Sequence, residues 1–185
     1  MQVTTPLPQN LSVIALDSVV SRIEAGEHQR RVNDAAQLKL FSEALGQAAS
    51  ENFLSIRSGE LVRNDEPAEI VYRTIRAELA CALSVSEQTI ERRLTHAFEL
   101  TNYYLETFLV LSEGLITLAH TEVIATAGRV IGEGIGASTC TRRVAYEAAV
   151  LEHAVRETPS RLRPIARRLA EQYSEQTIDE RYVEA

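Results

Sequence analysis

"ALSVSEQTIERRLTHA", Ala82 to Ala97, reads as the turn and second helix of a helix-turn-helix. Ser86 suits a helix N-cap, because its hydroxyl can accept from a free amide of the first turn. Ser84-Val85-Ser86 supplies the turn, and Ala80 places a small side chain where two helices must approach. Leu83 is expected to plug the core before the turn and Ile90 to anchor the helix after it. Ser84 stands where such turns usually hold glycine, and serine adopts positive φ less freely. The unit covers about residues 76–97, and its helical reading sets the reading of the flanks.

Downstream, Ile90, Leu94, Ala97, Thr101, Tyr104, Phe108 and Leu111 step by four and three, so one long central helix is expected from Ser86 to about Leu111. Gln88, Arg92, Glu99 and Glu106 fall opposite the stripe, facing water, while Phe98, Leu105 and Leu109 widen the apolar arc and imply packing on more than one side. After Gly114 a helix carries Leu118, Val123, Ile124 and Ala127 into the glycine loop "GRVIGEGIGAS". Further helices follow over about 141–158, 159–173 and from Gln176 to the end.

Upstream, Pro67 suits the first turn of a helix reaching Leu83, and "RSGELVRNDEP", Arg57 to Pro67, reads as a linker. Before it, Ile14, Leu16, Val19, Val20 and Ile23 recur at helical spacing, are interrupted at Gly26 and "EHQRRVND", and resume at Leu38, Leu40, Phe41 and Leu45. A long helix or a helical pair bent near Gly26 is expected, with Asn10 as its cap. The organisation is a flexible leader over 1–10 and a single helical domain over 11–185, made of an N-terminal arm (11–56) and a core (66–185). "QTIDERYVEA" stops without a Gly, Pro or tail signal, as a piece of a longer chain would.

Composition agrees with an all-α, multi-helical domain: 45% apolar and 5% aromatic residues over 185 positions, no Trp, and Ala, Leu, Glu and Arg dominant. Lys39 is the only lysine, a bias that points to a GC-rich genome. A formal charge of -7 argues against broad nucleic-acid binding, which draws its affinity from Lys and Arg on phosphates. Cys81 and Cys140 are solitary, which predicts a reduced, cytoplasmic protein without a disulfide framework or structural metal. The opening "MQVTTPLPQN" lacks a basic region followed by an apolar run, and no run of about 18 apolar residues occurs, so neither a secreted nor a membrane-spanning protein is expected.

Three stretches could carry function. The start of the second helix offers Ser86, Gln88, Thr89 and Arg92 to a DNA groove, since Gln can read adenine and Arg can read guanine or grip phosphate. Glu87 and Glu91 on the same face would be repelled by phosphate, and the competing reading is a unit that only packs helices. Gly132, Gly134 and Ala137 match G-x-G-x-x-A, but a helical pattern precedes them where a dinucleotide fingerprint needs a strand. Arg142, Arg143, Arg161, Arg163, Arg167 and Arg168 form a second basic patch, favoured as a solvated face paired with Glu147, Glu152, Glu157 and Glu171. His28, His96, His120 and His153 are scattered, and no Ser or Cys sits in a nucleophile context. Neither an enzyme active site, a cofactor nor a metal site is expected.

The order "AELACALSVSEQTIERRLTHAFEL", "LSEGLITLAHTEVIATAG", "TPSRLRPIARRLAEQ" and "DERYVEA" resembles the family called domain of unknown function 222, the 13E12-repeat family of high-GC Gram-positive bacteria. The shared steps are "RRL-x-x-A", here Arg92-Arg93-Leu94 to Ala97, and "G-x-I-x-x-x-H", here Gly114 to His120. Thr121 stands where Ala is usual. The resemblance implies an N-terminal helical domain often joined to a C-terminal HNH endonuclease, and no HNH residues occur in this chain. The expected function is therefore a non-catalytic accessory domain that positions such a nuclease on double-stranded DNA. The alternative is a protein-interaction or oligomerisation module without DNA contact.

Overall fold

The computed structural model describes residues 9–48, 54–57, 60–63, 66–132 and 137–174. Its elements are α1 (Gln9–Ala48), β1 (Leu54–Arg57), β2 (Glu60–Arg63), α2 (Glu66–Leu83), α3 (Glu87–Tyr103), α4 (Leu105–Ser112), α5 (Leu118–Gly128), a 3-10 turn (Arg129–Ile131), α6 (Ala137–Ala154) and α7 (Pro159–Ser174). The fold class is all-α, as the composition predicts. One departure interrupts it: part of the expected linker, Arg57 and Glu60 to Arg63, belongs to an antiparallel hairpin running from Leu54 opposite Arg63 to Arg57 opposite Glu60. Four-residue strands are too short to show a periodicity, which is why the sequence reads there as a linker.

α1 is one continuous helix of 40 residues that runs through Gly26, so the bent-pair alternative is not adopted, and Asn10 lies inside it rather than capping it. A glycine in an exposed helix costs only about 1 kcal/mol relative to alanine, too little to break it. The expected leader lies outside the described residues over 1–8. The second half of α1 buries Ala35, Leu38, Phe41 and Leu45, packing on α3 and α4. Ser42 on α1 shares a 2.8 Å hydrogen bond with Thr101 on α3.

The expected central helix ends at Tyr104, whose φ of -131° and ψ of 57° separate α3 from α4. Ile90, Leu94, Ala97, Tyr104 and Leu111 are buried nevertheless, so the stripe survives the break. Its widening survives only at Phe98, which packs against the core; Leu105 and Leu109 are exposed, because restarting the helix at Leu105 turns them outward. The break is held from outside, with the Glu147 carboxylate of α6 accepting the Thr107 amide of α4's first turn at 2.5 Å. α5, α6 and α7 form the other part of the core, where Tyr146, Val150, Leu162, Ala166 and Ala170 are buried and the Tyr146 hydroxyl donates to the Ile124 carbonyl at 3.0 Å.

The "G-x-I-x-x-x-H" step is structural. Gly114 takes φ +69°, and a Cβ there would fall 2.5 Å from the His28 ring of α1. Arg31 of α1 donates to the Gly114 carbonyl at 3.0 Å, fixing the α4–α5 turn to α1. Ile116 is fully buried. His120 accepts the Thr117 amide on Nδ1 at 3.1 Å, closing a capping box at the start of α5. Its Nε2–H therefore donates to the Glu157 carbonyl at 2.8 Å, tying α5 to the turn before α7.

Candidate nucleic-acid interface

α2 ends as a Schellman cap. The Val85 amide donates to the Ala80 carbonyl at 3.1 Å and the Ser84 amide to Cys81 at 3.2 Å. This geometry needs a left-handed residue, and Ser84 supplies it at φ 53° despite its Cβ. Ala80 is buried where α2 meets α3, as its size predicts. Leu83 does not plug the core; it is 40% exposed, and Val85 packs there instead. The left-handed turn at Ser84 reverses the direction of the chain, so the inward position falls after the turn rather than before it.

Ser86 is extended, with φ -68° and ψ 149°, and its Oγ accepts the Thr89 amide at 3.2 Å. The two hydroxyls lie 2.9 Å apart. Both side chains thus hold the start of α3, leaving Gln88 and Arg92, one turn apart and exposed, as the outward polar pair. The acidic neighbours are engaged. Arg76 of α2 donates from Nε to Glu87 at 2.9 Å and from Nη1 to Glu91 at 3.3 Å. Its guanidinium lies 6.0 Å from the Tyr72 ring centre, so one cation spans both helices and faces both carboxylates.

The far end of α3 is different in kind. Glu99, expected to face water, is 2% exposed. Arg129 grips it in a fork, Nε to Oε1 at 3.0 Å and Nη2 to Oε2 at 3.1 Å. His96 Nδ1 lies 4.0 Å from the same carboxylate. Burial pushes the Glu99 carboxyl up, but the neighbouring His96 and the hydrogen bonds and charge of Arg129 outweigh it, and the group titrates below its ordinary value. Thr121 gives its hydroxyl proton to the Leu118 carbonyl at 2.7 Å and so accepts from His96 Nε2 at 2.8 Å. Thr121 thus closes a buried network.

The second basic patch separates into unlike parts. Arg143 is buried; it donates to the Gly132 carbonyl at 2.9 Å and stacks 4.8 Å from the Tyr103 ring centre and 5.8 Å from that of Tyr104. Arg142 is half-buried, while Arg161, Arg163, Arg167 and Arg168 are exposed on α7. Of the expected pairings with glutamates, that of Arg161 with Glu157 forms, at 3.9 Å. Glu147 points inward to Thr107 instead. Arg163 and Arg167 border a groove of about 610 Å³ between α5 and α7, floored by Ala119, Val123 and Ala127. α7 packs on α5, α6 and the 3-10 turn, whereas the start of α3 packs on α2, so the two patches are not brought together.

The glycine loop is preceded by α5 and the 3-10 turn, not by a strand, which removes the dinucleotide reading; Gly134 lies outside the described residues. Cys81 and Cys140 are free and exposed. Among the described residues no cluster of three or more His, Cys, Asp or Glu could hold a metal ion, and no helix is long and apolar enough to cross a membrane. Arg76 and Arg129 escaped the sequence reading, and Glu99 was placed on the wrong face. Arg76 was within reach of it, since it stands in the first helix of the unit across the turn from Glu87 and Glu91. Compared with known proteins, the chain matches no family model, no curated protein and no solved structure.

Proposed function

We propose that the α2–α3 unit docks the start of α3 on double-stranded DNA, as the non-catalytic accessory domain of an HNH-endonuclease-type protein of the family the sequence resembles. The observation that carries this reading is Arg76. By pairing with Glu87 and Glu91 it offsets the two charges that would repel phosphate, and Gln88 and Arg92 remain outward beside them. In this role Arg92 contacts phosphate or guanine, Gln88 reads a base edge, and Ser86 and Thr89 hold the helix start whose amides and dipole favour a phosphate. The chain's overall charge of -7 keeps such binding weak and confined to this face.

Fluorescence anisotropy with a mixed-sequence duplex at low salt tests the reading. Wild type binds, and Gln88→Ala with Arg92→Ala weakens binding by roughly tenfold or more while the thermal transition stays in place. A second reading, docking of another protein, is supported by the α5–α7 groove with Arg163 and Arg167 on its rim, neither in an ion pair with a described residue. Arg163→Glu with Arg167→Glu separates the two: it leaves duplex binding intact under the first reading and abolishes partner binding under the second.

A further inference from the structure

Four charged side chains border the α5–α7 groove, and none of them forms an ion pair or hydrogen bond with a described residue. Arg163 and Arg167 stand one turn apart on α7, where like charges repel, with Glu171 a further turn on. Glu122 stands across the groove on α5. Elsewhere the charges of neighbouring helices meet, as those of Arg76, Glu87 and Glu91 do. Between the walls lies an apolar floor of Val123 and Ala127, which runs out to Val130, 60% exposed. α5 and α7 run in the same direction, since His120 at the start of α5 bonds the Glu157 carbonyl before α7 and the 3-10 turn after α5 packs on α7. From Pro159 to Glu171 the groove is about 18 Å long, a little over three helical turns. It fits a helix with an apolar face, an acidic flank toward the two arginines and a basic flank toward Glu122.

The chain itself carries such a helix. From Ala15 to Gly26 every residue of α1 is exposed, an arm of about 17 Å. Leu16 (61% exposed) and Ile23 (60%) stand on its apolar face with Val19 and Val20 between them. Asp17 and Glu24 share one flank of that face and Arg22 lies on the other. Arm and groove are therefore opposite in sign wall by wall, and all of the residues concerned are described.

We propose that the α5–α7 groove receives residues 15–26 of α1 from a second copy of this chain. The proposal rests on the reading of this groove as a surface that docks protein, and it names the occupant. The arm comes from another copy because α1 is one unbroken helix, which would have to break to bend back into its own groove. Handedness sets the direction. Laid antiparallel to α7, the arm turns Asp17 toward Arg167, Glu24 toward Arg163 and Arg22 toward Glu122; laid parallel, it sets Arg22 against the two arginines. Asp17 and Glu24 lie about 10 Å apart along their helix and the two arginines about 6 Å apart along theirs, a difference that long side chains span. In this register Leu16 falls on Val130 and Ile23 on Val123. Arm and groove are different patches, so each chain can give an arm and receive one. A three-turn helix in a groove is a small interface, so the Kd is on the order of 100 µM, and added salt weakens the contact.

Sedimentation velocity of the full chain up to about 500 µM tests this. Wild type associates as concentration rises. Arg163→Glu with Arg167→Glu stays monomeric, and so does Asp17→Arg with Glu24→Arg, each keeping the thermal transition because all four side chains are exposed. Mixed together, the two variants associate again, since each reversed patch then meets its reversed counterpart and each native patch its native one. In a Cys81→Ser, Cys140→Ser background, Leu16→Cys mixed with Val130→Cys forms a disulfide between chains faster than either variant links to itself. A wild type that is monomeric throughout, or a mixture of the two charge variants that stays monomeric, overturns the proposal. Preferential linking of Leu16→Cys to itself overturns it as well, because the arms then meet each other and not the groove. Each of these failures leaves the groove free to dock a different protein, which only loss of that protein's binding in Arg163→Glu with Arg167→Glu decides.

Discussion

α3 carries polar residues at both ends, and the two ends have opposite fates. At the start, Gln88 and Arg92 face solvent and the carboxylates of Glu87 and Glu91 are held at the surface by Arg76. At the far end, Glu99 and His96 are enclosed with Arg129 and Thr121. A helical period places residues on faces but does not say how far a neighbour covers each face. The first end is available to a partner, and the second joins α3 to α5 and the turn that follows it. The difference separates binding candidates from framework, although both look alike in sequence.

The largest expected effect comes from treating the two ends alike. Glu99→Ala leaves Arg129 and His96 facing a buried gap and lowers unfolding free energy by about 3 kcal/mol, the lower part of the range for a broken buried pair because Arg129 is partly exposed. Glu87→Ala removes the same group from an exposed pair and costs about 0.5 kcal/mol. Urea titration of both variants distinguishes them, and equal losses would erase the contrast between the two ends.

The turn offers a smaller effect of opposite sign. Ser84 holds φ 53°, where a Cβ is strained, so Ser84→Gly raises stability by about 1 kcal/mol. A destabilised Ser84→Gly would mean that the serine side chain supports the turn.

The smallest effect is on pH dependence. Burial disfavours the His120 imidazolium, the Glu157 carbonyl partly offsets this, the Arg31 charge adds to it, and the net value lies below 6.5. A depressed histidine contributes stability above its unfolded value of 6.5, and that contribution is lost as pH falls below it. Glu147 has the reverse sign: burial raises it above 4.5 despite the Thr107 amide. Its contribution is complete below 4.5 and is lost as pH rises through the raised value. Glu147→Gln keeps an acceptor for Thr107 and therefore gains on wild type at neutral pH, with the difference closing in acid. Thermal melts across this range check both.

Much of the fold was legible because it rests on local signals. Ser86 as cap, Ala80 as the close-approach residue and the stripe from Ile90 to Leu111 all follow from spacing and side-chain type. What was not legible depends on distant partners. The break at Tyr104 is held by Glu147 of α6, the burial of Glu99 by Arg129, and the burial of Arg143 by two tyrosine rings. Leu83 and Leu105 misled for a related reason, since each lies beside a backbone break across which a helical period cannot be extrapolated. At the candidate interface the sequence named the exposed residues, but the cation that offsets Glu87 and Glu91 comes from the neighbouring helix.

The central claim is that Arg76 makes the start of α3 acceptable to a phosphate backbone, and the most direct measurement is duplex binding of Arg76→Ala by anisotropy at low salt. The account predicts that wild type binds, and that Arg76→Ala binds at least tenfold more weakly because Glu87 and Glu91 are then uncompensated. Adding Glu87→Gln and Glu91→Gln to Arg76→Ala restores binding. A wild type that does not bind duplex at low salt, or an Arg76→Ala variant that binds as tightly as wild type, would contradict it.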